Sequence, residues 1–350
     1  MKYISLCSGI EAASVAFESL GWEPIAFSEI EPFPCAVLNH HYPKVPNLGD
    51  MTKFKEWSDD FFANADVIVG GPPCQAFSVA GLRNGLNDER GNLTLAYAEL
   101  INHADSIRTR LSLPPTICIY ENVPGIFSDK TNAFGCLLGA LAGENGALIS
   151  PGGKWTDAGC VSGPQRAIAW RLLDAQYFGV AQRRRRVFLI ASARDGFDPF
   201  EILFERQSLR RDNAPSREQR EEVTGTITAR TGNSRNNHEE CVIQPKTLCF
   251  DRQSSGEYGE APVASTMSAR DYKSASDLVA QPMAIRRLTP IECERLQGFP
   301  DNYTNIPWRK SSESPDGPRY KALGNSMAVP CMQWISQQIK SVEEVLQWNK

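Results

Sequence analysis

Asp66-Val67-Ile68-Val69-Gly70-Gly71-Pro72-Pro73-Cys74-Gln75 carries three β-branched residues and then breaks at two glycines and two prolines. β-Branched side chains are stiff about χ1 and suit a buried strand, whereas Gly-Gly-Pro-Pro cannot extend one. The stretch reads as a buried strand that hands the chain to a stiff loop. The same pattern recurs on both sides. Tyr3–Leu6, Pro24–Glu29, Ile117–Tyr120 and Arg186–Ala191 are further strand candidates. Helical stretches follow the first two, at Glu11–Leu20 and Pro32–His40, with Pro32 in a first-turn position. This alternation predicts an α/β fold with a mostly parallel sheet and helices on both faces. In such sheets ligands sit beyond the carboxyl ends of the strands, and each polar motif below falls at such an end.

The chain has 350 residues, 41% hydrophobic and 22% charged. That balance excludes wholesale disorder and accommodates two domains. No run approaches the ~18 apolar residues of a membrane span, and Glu11 interrupts the stretch where a secretory signal would be apolar, so export is not expected. Ten cysteines, none in a Cys-x-x-Cys pair or beside a His cluster, argue against a structural metal or disulfides and for reduced thiols in the cytoplasm. With a net charge of −4 there is no global basic field, so a polyanionic partner must meet a local patch. Gln182–Arg235 is such a patch, with twelve arginines against eight acids. From Arg206 to Ser234 apolar periodicity fades. Cys241–Ile243 and Leu248–Phe250 are strand-length patterns, and Met327–Leu346 returns to helical spacing and is expected to pack on the first domain.

Three motifs bear chemistry. A cysteine is most often a small buried hydrophobe, but Cys74 follows a strand end and two prolines that fix its position. Behind it Ala76–Asn92, with Gly81, Gly85 and Gly91, is long enough to close over a substrate, so Cys74 reads as a nucleophile. Glu121-Asn122-Val123 ends the next strand. Glu121 is either a solvated loop carboxylate or a carboxyl in a closed pocket that shares a proton with a ring nitrogen. Gln182-Arg183-Arg184-Arg185-Arg186 runs straight into an apolar strand, so alternate arginines point to opposite sides and Arg184 and Arg186 can face one site.

In this order the three elements resemble the C5-cytosine DNA methyltransferase family of bacterial and phage type, over most of the chain. Its Pro-Cys, Glu-Asn-Val and Gln-x-Arg-x-Arg motifs match Pro73-Cys74, Glu121-Asn122-Val123 and Gln182–Arg186. Arg287-Leu288-Thr289-Pro290 through Glu294-Arg295-Leu296-Gln297-Gly298-Phe299-Pro300 and the closing Gly324-Asn325-Ser326 match two more. The resemblance implies a Rossmann-like S-adenosylmethionine-dependent catalytic domain, residues 1–195 and 318–350. A smaller β-rich target-recognition domain with its hinge would span residues 196–317. It implies that Cys74 adds to carbon 6 of a flipped cytosine, that Glu121 acts at ring nitrogen 3 and Arg186 at oxygen 2, and that Arg184 belongs to the same catalytic set. Amino methylation needs no such adduct, and Pro-Pro-Cys in place of an Asp/Asn-Pro-Pro-Tyr-type motif argues against it.

The same resemblance implies S-adenosylmethionine as the methyl donor and no metal. Glu29 matches a ribose-binding acid and Asp50 an adenine contact; Ile30 and Met51 would touch the adenine ring, and Leu93 and Asn325 would close on the methionine end. Cys7, Gly9, Ile10, Pro72 and Ser326 complete the expected cofactor residues. The first motif departs from the family's Phe-x-Gly-x-Gly-Gly, since Cys7-Ser8-Gly9-Ile10-Glu11-Ala12 keeps one glycine. DNA contacts are expected from Gln75, Ser78 and Arg90.

Further contacts are expected from Arg230 and Arg270, which end a weak repeat, Thr226-Ile227-Thr228-Ala229-Arg230 and Thr266-Met267-Ser268-Ala269-Arg270. The repeat is either structural duplication or a pair of DNA-contacting strands. Double-stranded DNA is the expected partner, a cognate restriction endonuclease a further one, and the chain is expected to be monomeric. A transfer RNA C5-cytosine methyltransferase and a catalytically silent DNA-binding relative are the alternatives. A nicotinamide enzyme is excluded because Cys7–Ala12 lacks Gly-x-Gly-x-x-Gly.

Overall fold

A computed structural model describes residues 1–73, 93–204, 248–254, 257–261, 278–281 and 284–348 of the chain. In chain order its elements are β1 (Lys2–Leu6), α1 (Ala12–Phe17), β2 (Glu23–Ser28), α2 (Pro32–His41), α3 (Asp59–Asn64), β3 (Val67–Gly70), α4 (Leu93–Arg110), β4 (Ile117–Asn122), α5 (Ala133–Ala142), β5 (Ala158–Ser162), β6 (Ala167–Asp174), β7 (Arg185–Ser192) and α6 (Pro199–Leu203). After these come β8 (Leu248–Ser254), β9 (Glu257–Ala261), β10 (Leu278–Gln281), β11 (Ala284–Arg287), α7 (Pro290–Gln297), α8 (Asp316–Asn325) and α9 (Val329–Trp348).

The first seven strands form one sheet in the order β2-β1-β3-β4-β7-β6-β5. β1 to β4 pair in parallel; β7 is antiparallel to β4, and β6 and β5 alternate beyond it. Five strands, β1 to β4 and β6, therefore point one way, as the strand–helix alternation predicts. The β5–β6 hairpin carried no sequence expectation: β6 is a single unpunctuated run, Ala167-Ile168-Ala169-Trp170-Arg171-Leu172-Leu173-Asp174, readable as helix or strand. Strand order reverses at β1, flanked by β2 on one side and β3 on the other, and such a switch point opens a crevice beyond the strand ends.

Alternate residues of these strands feed two cores. Val67, Val69, Ile117, Ile119 and Phe188 pack with Phe17 of α1 and Trp334 and Ile335 of α9. Ile68, Cys118, Tyr120, Val187 and Leu189 pack on the other side with Tyr97 and Leu100 of α4 and Phe134 of α5. The C-terminal helix thus returns to the first strands as its spacing predicts.

Strands β8 to β11 form a second, antiparallel sheet in the order β11-β10-β8-β9. Only Leu288 and Thr289 separate β11 from α7. There Thr289 forms a reciprocal capping box with Glu292, Pro290 starts the helix and Gly298 ends it at φ 82, so the Leu-Thr-Pro-x-Glu string is a helix start. Leu288, Cys293, Phe299, Tyr303 and Ile306 share the core that holds Tyr3 and Phe17, so the packing continues through residues expected beyond the catalytic part. Glu294, fully buried, accepts from the backbone N–H of Asn302 (2.7 Å) and Thr304 (2.9 Å) and from Arg319 of α8 (3.1 Å).

Candidate active site

Because β7 runs against β4, it begins where β4 ends: Glu121 lies opposite Phe188 and Asn122 opposite Val187. Arg186, two residues before Phe188, shares the side of Glu121. The two meet at 3.1 Å between Arg186 Nε and Glu121 Oε1, with side chains 12% and 10% exposed respectively. Burial raises the pKa of Glu121 more than Arg186 and Arg184 lower it, so the carboxyl holds a proton to higher pH than a surface glutamate. A proton-sharing carboxyl beside a guanidinium suits a heterocycle that gains negative charge on neighbouring ring atoms.

The loop from β3 is fastened against this pair. Asn122 Nδ2 donates to the Pro72 carbonyl at 3.1 Å and to Tyr120 Oη at 2.6 Å, while its Oδ1 accepts from the Val123 N–H at 2.8 Å. A Cβ on Gly71 would lie 3.1 Å from Glu121 Oε2 and 3.0 Å from Met327 Cε. The backbone approaching Cys74 therefore runs directly past the carboxyl, and a side chain at Gly71 would push on Met327 and Glu121.

Arg184 and Arg186 share a side, as strand alternation predicts, but only Arg186 meets Glu121. Arg184 is 1% exposed. Its Nη2 donates to the carbonyls of Gly324 (3.2 Å) and Ser326 (2.5 Å), and its backbone N–H to Asp174 Oδ1 (2.9 Å). Those carbonyls close α8, where the helix dipole is negative. Burial and then repulsion by Arg186 bring the Arg184 pKa down to about 9, which leaves it cationic at neutral pH. Arg183 and Arg185 face outward, and Arg185 pairs with Asp157 at 3.1 Å.

A second cluster forms beyond β1 and β2, whose last residues Leu6 and Ser28 are in register. The Glu29 carboxylate accepts from Gly9 N–H (2.7 Å) on Oε2 and from Ile30 and Glu31 N–H (both 2.8 Å) on Oε1. Gly9 has φ +57, with open space where a Cβ would stand. Ile30 is 69% exposed and Asn325 is exposed. An anchored carboxylate, an open glycine backbone and an exposed aliphatic side chain fit a ligand that combines hydroxyls with a flat apolar ring.

Other expected cofactor residues lie beneath that shelf. Ile10 is fully buried with Tyr3 and Phe17, so only its backbone can face a ligand. Met51 is buried and accepts from Cys7 Sγ at 3.4 Å; burial pushes the Cys7 thiol up to about 12, so it fills space rather than reacts. Asp50 caps the short turn Met51–Glu56 by accepting from Thr52 N–H and Oγ1, both at 2.9 Å. Pro72 and Ser326 are buried, and Leu93 is half-buried at the start of α4. Cys74, Gln75, Ser78, Arg90, Arg230 and Arg270 lie outside the described residues.

Glu11 stands where the Phe-x-Gly-x-Gly-Gly pattern has a glycine, and it keeps a glycine's backbone: φ 67, ψ 56. Its Oε1 accepts from Ser14 N–H and Oγ, both at 3.1 Å, which caps α1. The side chain is fully buried, and that burial raises its pKa to about 7.

A family model described as C-5 cytosine-specific DNA methylase matches residues 1–341. The chain belongs to that family. Over 96% of its length it is 41% identical to a protein of Escherichia phage P1 named DNA N-6-adenine-methyltransferase, of which it spans 61%. It is 28% identical to the type II methyltransferase M.NgoPII of Neisseria gonorrhoeae, with 98% of this chain and 96% of that protein covered. Among solved structures, the S. pombe Dnmt2 methyltransferase superposes with a TM-score of 0.58 at 15% identity, covering 98% of this chain and 99% of that one. The Entamoeba histolytica methyltransferase EhMeth does so with 0.57 at 14%, covering 97% and 98%. At those identities the likeness speaks for the fold.

Within this C-5 methylase frame, residues that sequence reasoning passed over are fasteners. Asn122 was visible inside Glu-Asn-Val, and Gln297 inside Glu-Arg-Leu-Gln-Gly-Phe-Pro, but neither string says what the amide holds. Among the described residues no group of three His, Cys, Asp or Glu side chains could hold a metal, and no helix is long and apolar enough to cross a membrane.

Proposed function

We propose that the chain is a sequence-specific DNA (cytosine-5-)-methyltransferase. The observation that carries this reading is the buried Glu121–Arg186 pair, with the backbone leading to Cys74 fastened against it by Asn122. Carbon 5 of cytosine is a poor nucleophile. Addition of the Cys74 thiolate to carbon 6 forms a sulfur–carbon bond and pushes the ring's electron pair toward carbon 5, nitrogen 3 and oxygen 2. Glu121 shares its proton with nitrogen 3, and Arg186 donates to oxygen 2, so the charge is absorbed where it appears. S-adenosylmethionine, when bound, supplies an electrophilic methyl group on a sulfonium. Once carbon 5 carries the methyl group, a water accepts the carbon 5 proton, the freed electron pair re-forms the carbon 5–carbon 6 double bond, the sulfur–carbon bond breaks and Cys74 leaves as thiolate.

Glu29, the backbone at Gly9, Ile30 and Asn325 would hold that cofactor, with Cys7, Met51 and Ile10 as their floor. The target base must leave the helix stack to reach Cys74. Recognition and its hinge fall to residues 196–317, which include β8 to β11, and residues 1–195 and 318–350 make the catalytic body. Relatives named type II methyltransferases support a modification role beside a restriction endonuclease, in the cytoplasm of a bacterium or phage-infected cell.

The adenine named for the phage P1 relative is said of a longer protein. Methylation of an exocyclic amine needs neither a thiol adduct nor an acid at a ring nitrogen, so the residues assembled here favour cytosine. Incubation of plasmid DNA with isotopically labelled S-adenosylmethionine, followed by nucleoside analysis, should yield labelled 5-methylcytosine. A duplex containing 5-fluorocytosine at the modified site should trap the wild-type chain covalently and spare Cys74→Ser. Label in N6-methyladenine alone, or in RNA but not DNA, would overturn the proposal.

A further inference from the structure

Helix α8 holds Arg184 at one end and is bonded to the root of the second sheet at the other. At its C-terminal end, the Gly324 and Ser326 carbonyls hold Arg184, and Met327 crowds Gly71 beside Glu121. Arg184 lies two residues before Arg186 on the same side of the chain, and Arg186 meets Glu121 at 3.1 Å. Toward the second sheet, Tyr320 Oη donates to the carbonyl of Leu288, the residue that leaves β11, at 2.7 Å. Gln297, the last residue of α7 and fully buried, donates from Nε2 to the Leu323 carbonyl at 2.9 Å. Arg319 adds an ion pair to Glu294 at 3.1 Å and a hydrogen bond to Thr304 Oγ1 at 2.8 Å. From Tyr320 to Ser326 the helix spans about 9 Å.

Resting on the cytosine-methylation reading, we propose that α8 is a strut that fixes Arg184, and through it the Glu121–Arg186 pair, relative to the exit of β11. Tyr320 and Gln297 are then positioning residues for methyl transfer. Neither is placed to touch cofactor or base. Their polar atoms hold the helix by single directed bonds, and a helix held only by apolar packing could slide by the small distances that cost rate. The carbonyls that Arg184 needs are free to accept because they end the helix. Any shift of α8 along its axis therefore moves the partner of a buried cation. The arrangement also gives strand β11 a mechanical route to the catalytic pair.

The test uses the full chain, a duplex carrying its modified site and the variants Tyr320→Phe and Gln297→Met, both close in shape to the native residues. Single-turnover methyl transfer per trapped active site should fall about 10-fold in each. The rate is read at saturating S-adenosylmethionine, because Asn325 at the end of α8 moves with the helix; the affinity for the duplex should stay within about twofold and the melting temperature within about 3 °C. Loss of packing alone would lower the melting temperature and the trapped fraction, not the rate per trapped site. In an Arg184→Lys background, Tyr320→Phe should cost little more, because the held cation is already displaced. Wild-type rates in both single variants, or fully additive losses with Arg184→Lys, overturn the strut. A wild-type chain that makes no 5-methylcytosine instead removes the functional reading, and the strut with it.

Discussion

The end of β4 and the end of β1 solve their problems in opposite ways. At β4, side chains make the site: Glu121 and Asn122 are buried, the half-buried Arg186 pairs with Glu121, and all three are of the residue types that the chemistry needs. At β1 the backbone makes it. Cys7, Gly9 and Glu11 all have positive φ, at 50, 57 and 67, although only one of the three is glycine. A left-handed residue other than glycine costs about 1–2 kcal/mol, and here the Glu11 cap on α1 offsets part of that cost. A motif can therefore vanish as a string of letters while its shape persists. Where side chains carry the work, the letters must stay.

That contrast has measurable consequences. The largest should come from Glu121→Gln, which keeps the shape but cannot share a proton in the same way. Single-turnover methyl transfer should drop by about 10²–10³-fold, with cofactor binding by calorimetry nearly unchanged. Equal losses in both would mean that the two ends are not separable.

Glu11→Gln sharpens the other side of the comparison. The folded pKa of Glu11, about 7, lies above the ordinary glutamate value of 4.5 because the group is buried. A carboxyl with a raised folded pKa favours folding below its unfolded pKa, and that contribution is lost as pH rises through its folded pKa. Between pH 4.5 and pH 7 the native chain should therefore lose about 3 kcal/mol at this residue. The Gln variant should lose that pH dependence in chemical denaturation, and should be relatively more stable at pH 8 than at pH 5. A denaturation profile parallel to the wild type would rule out Glu11 as the titrating group.

Gly9→Ala places a Cβ in open space but at φ +57, so the cost is strain without collision. About 1–2 kcal/mol of strain corresponds to roughly 5- to 30-fold weaker cofactor binding if the loop relaxes in the free chain. Calorimetric titration with S-adenosylhomocysteine reads it directly. The smallest effect is expected from Glu11→Gly, where relief of left-handed strain and loss of the cap nearly cancel. Its melting temperature should stay within a few degrees of wild type. A collapse there would make the carboxyl, not the backbone conformation, the essential part of the loop.

Much of this was legible beforehand. Four β-rich runs, each ending in a motif, predicted the strands β1 to β4 and the end of the sheet where the site lies. Arg186–Ala191 predicted β7, although not that it runs antiparallel. The β5–β6 hairpin, α4 and α5 were not read: Gly163-Pro164, Pro114-Pro115 and Gly143 mark where they end, but the runs between these breaks do not by themselves separate helix from buried strand. In the candidate site, the period of two along a strand put Arg184 and Arg186 on one side, but the meeting of Arg186 with Glu121 needed the antiparallel pairing of β7 with β4. Nor does the inward turn of Arg184 follow from that period, since its partners lie 140 and 142 residues away in sequence.

The sequence by itself determined the order of elements, the residue types at each strand end and the family of chemistry they suit. These are local properties, set by side-chain shape, backbone freedom and alternation along a few residues. Tertiary structure alone decided which arginine faces the carboxyl and which holds a helix end, what Gly71 and Asn122 lie against, and how Glu11 occupies a glycine's conformation. Those outcomes depend on burial and on partners brought together from distant segments, and no window of sequence contains both halves of such a contact.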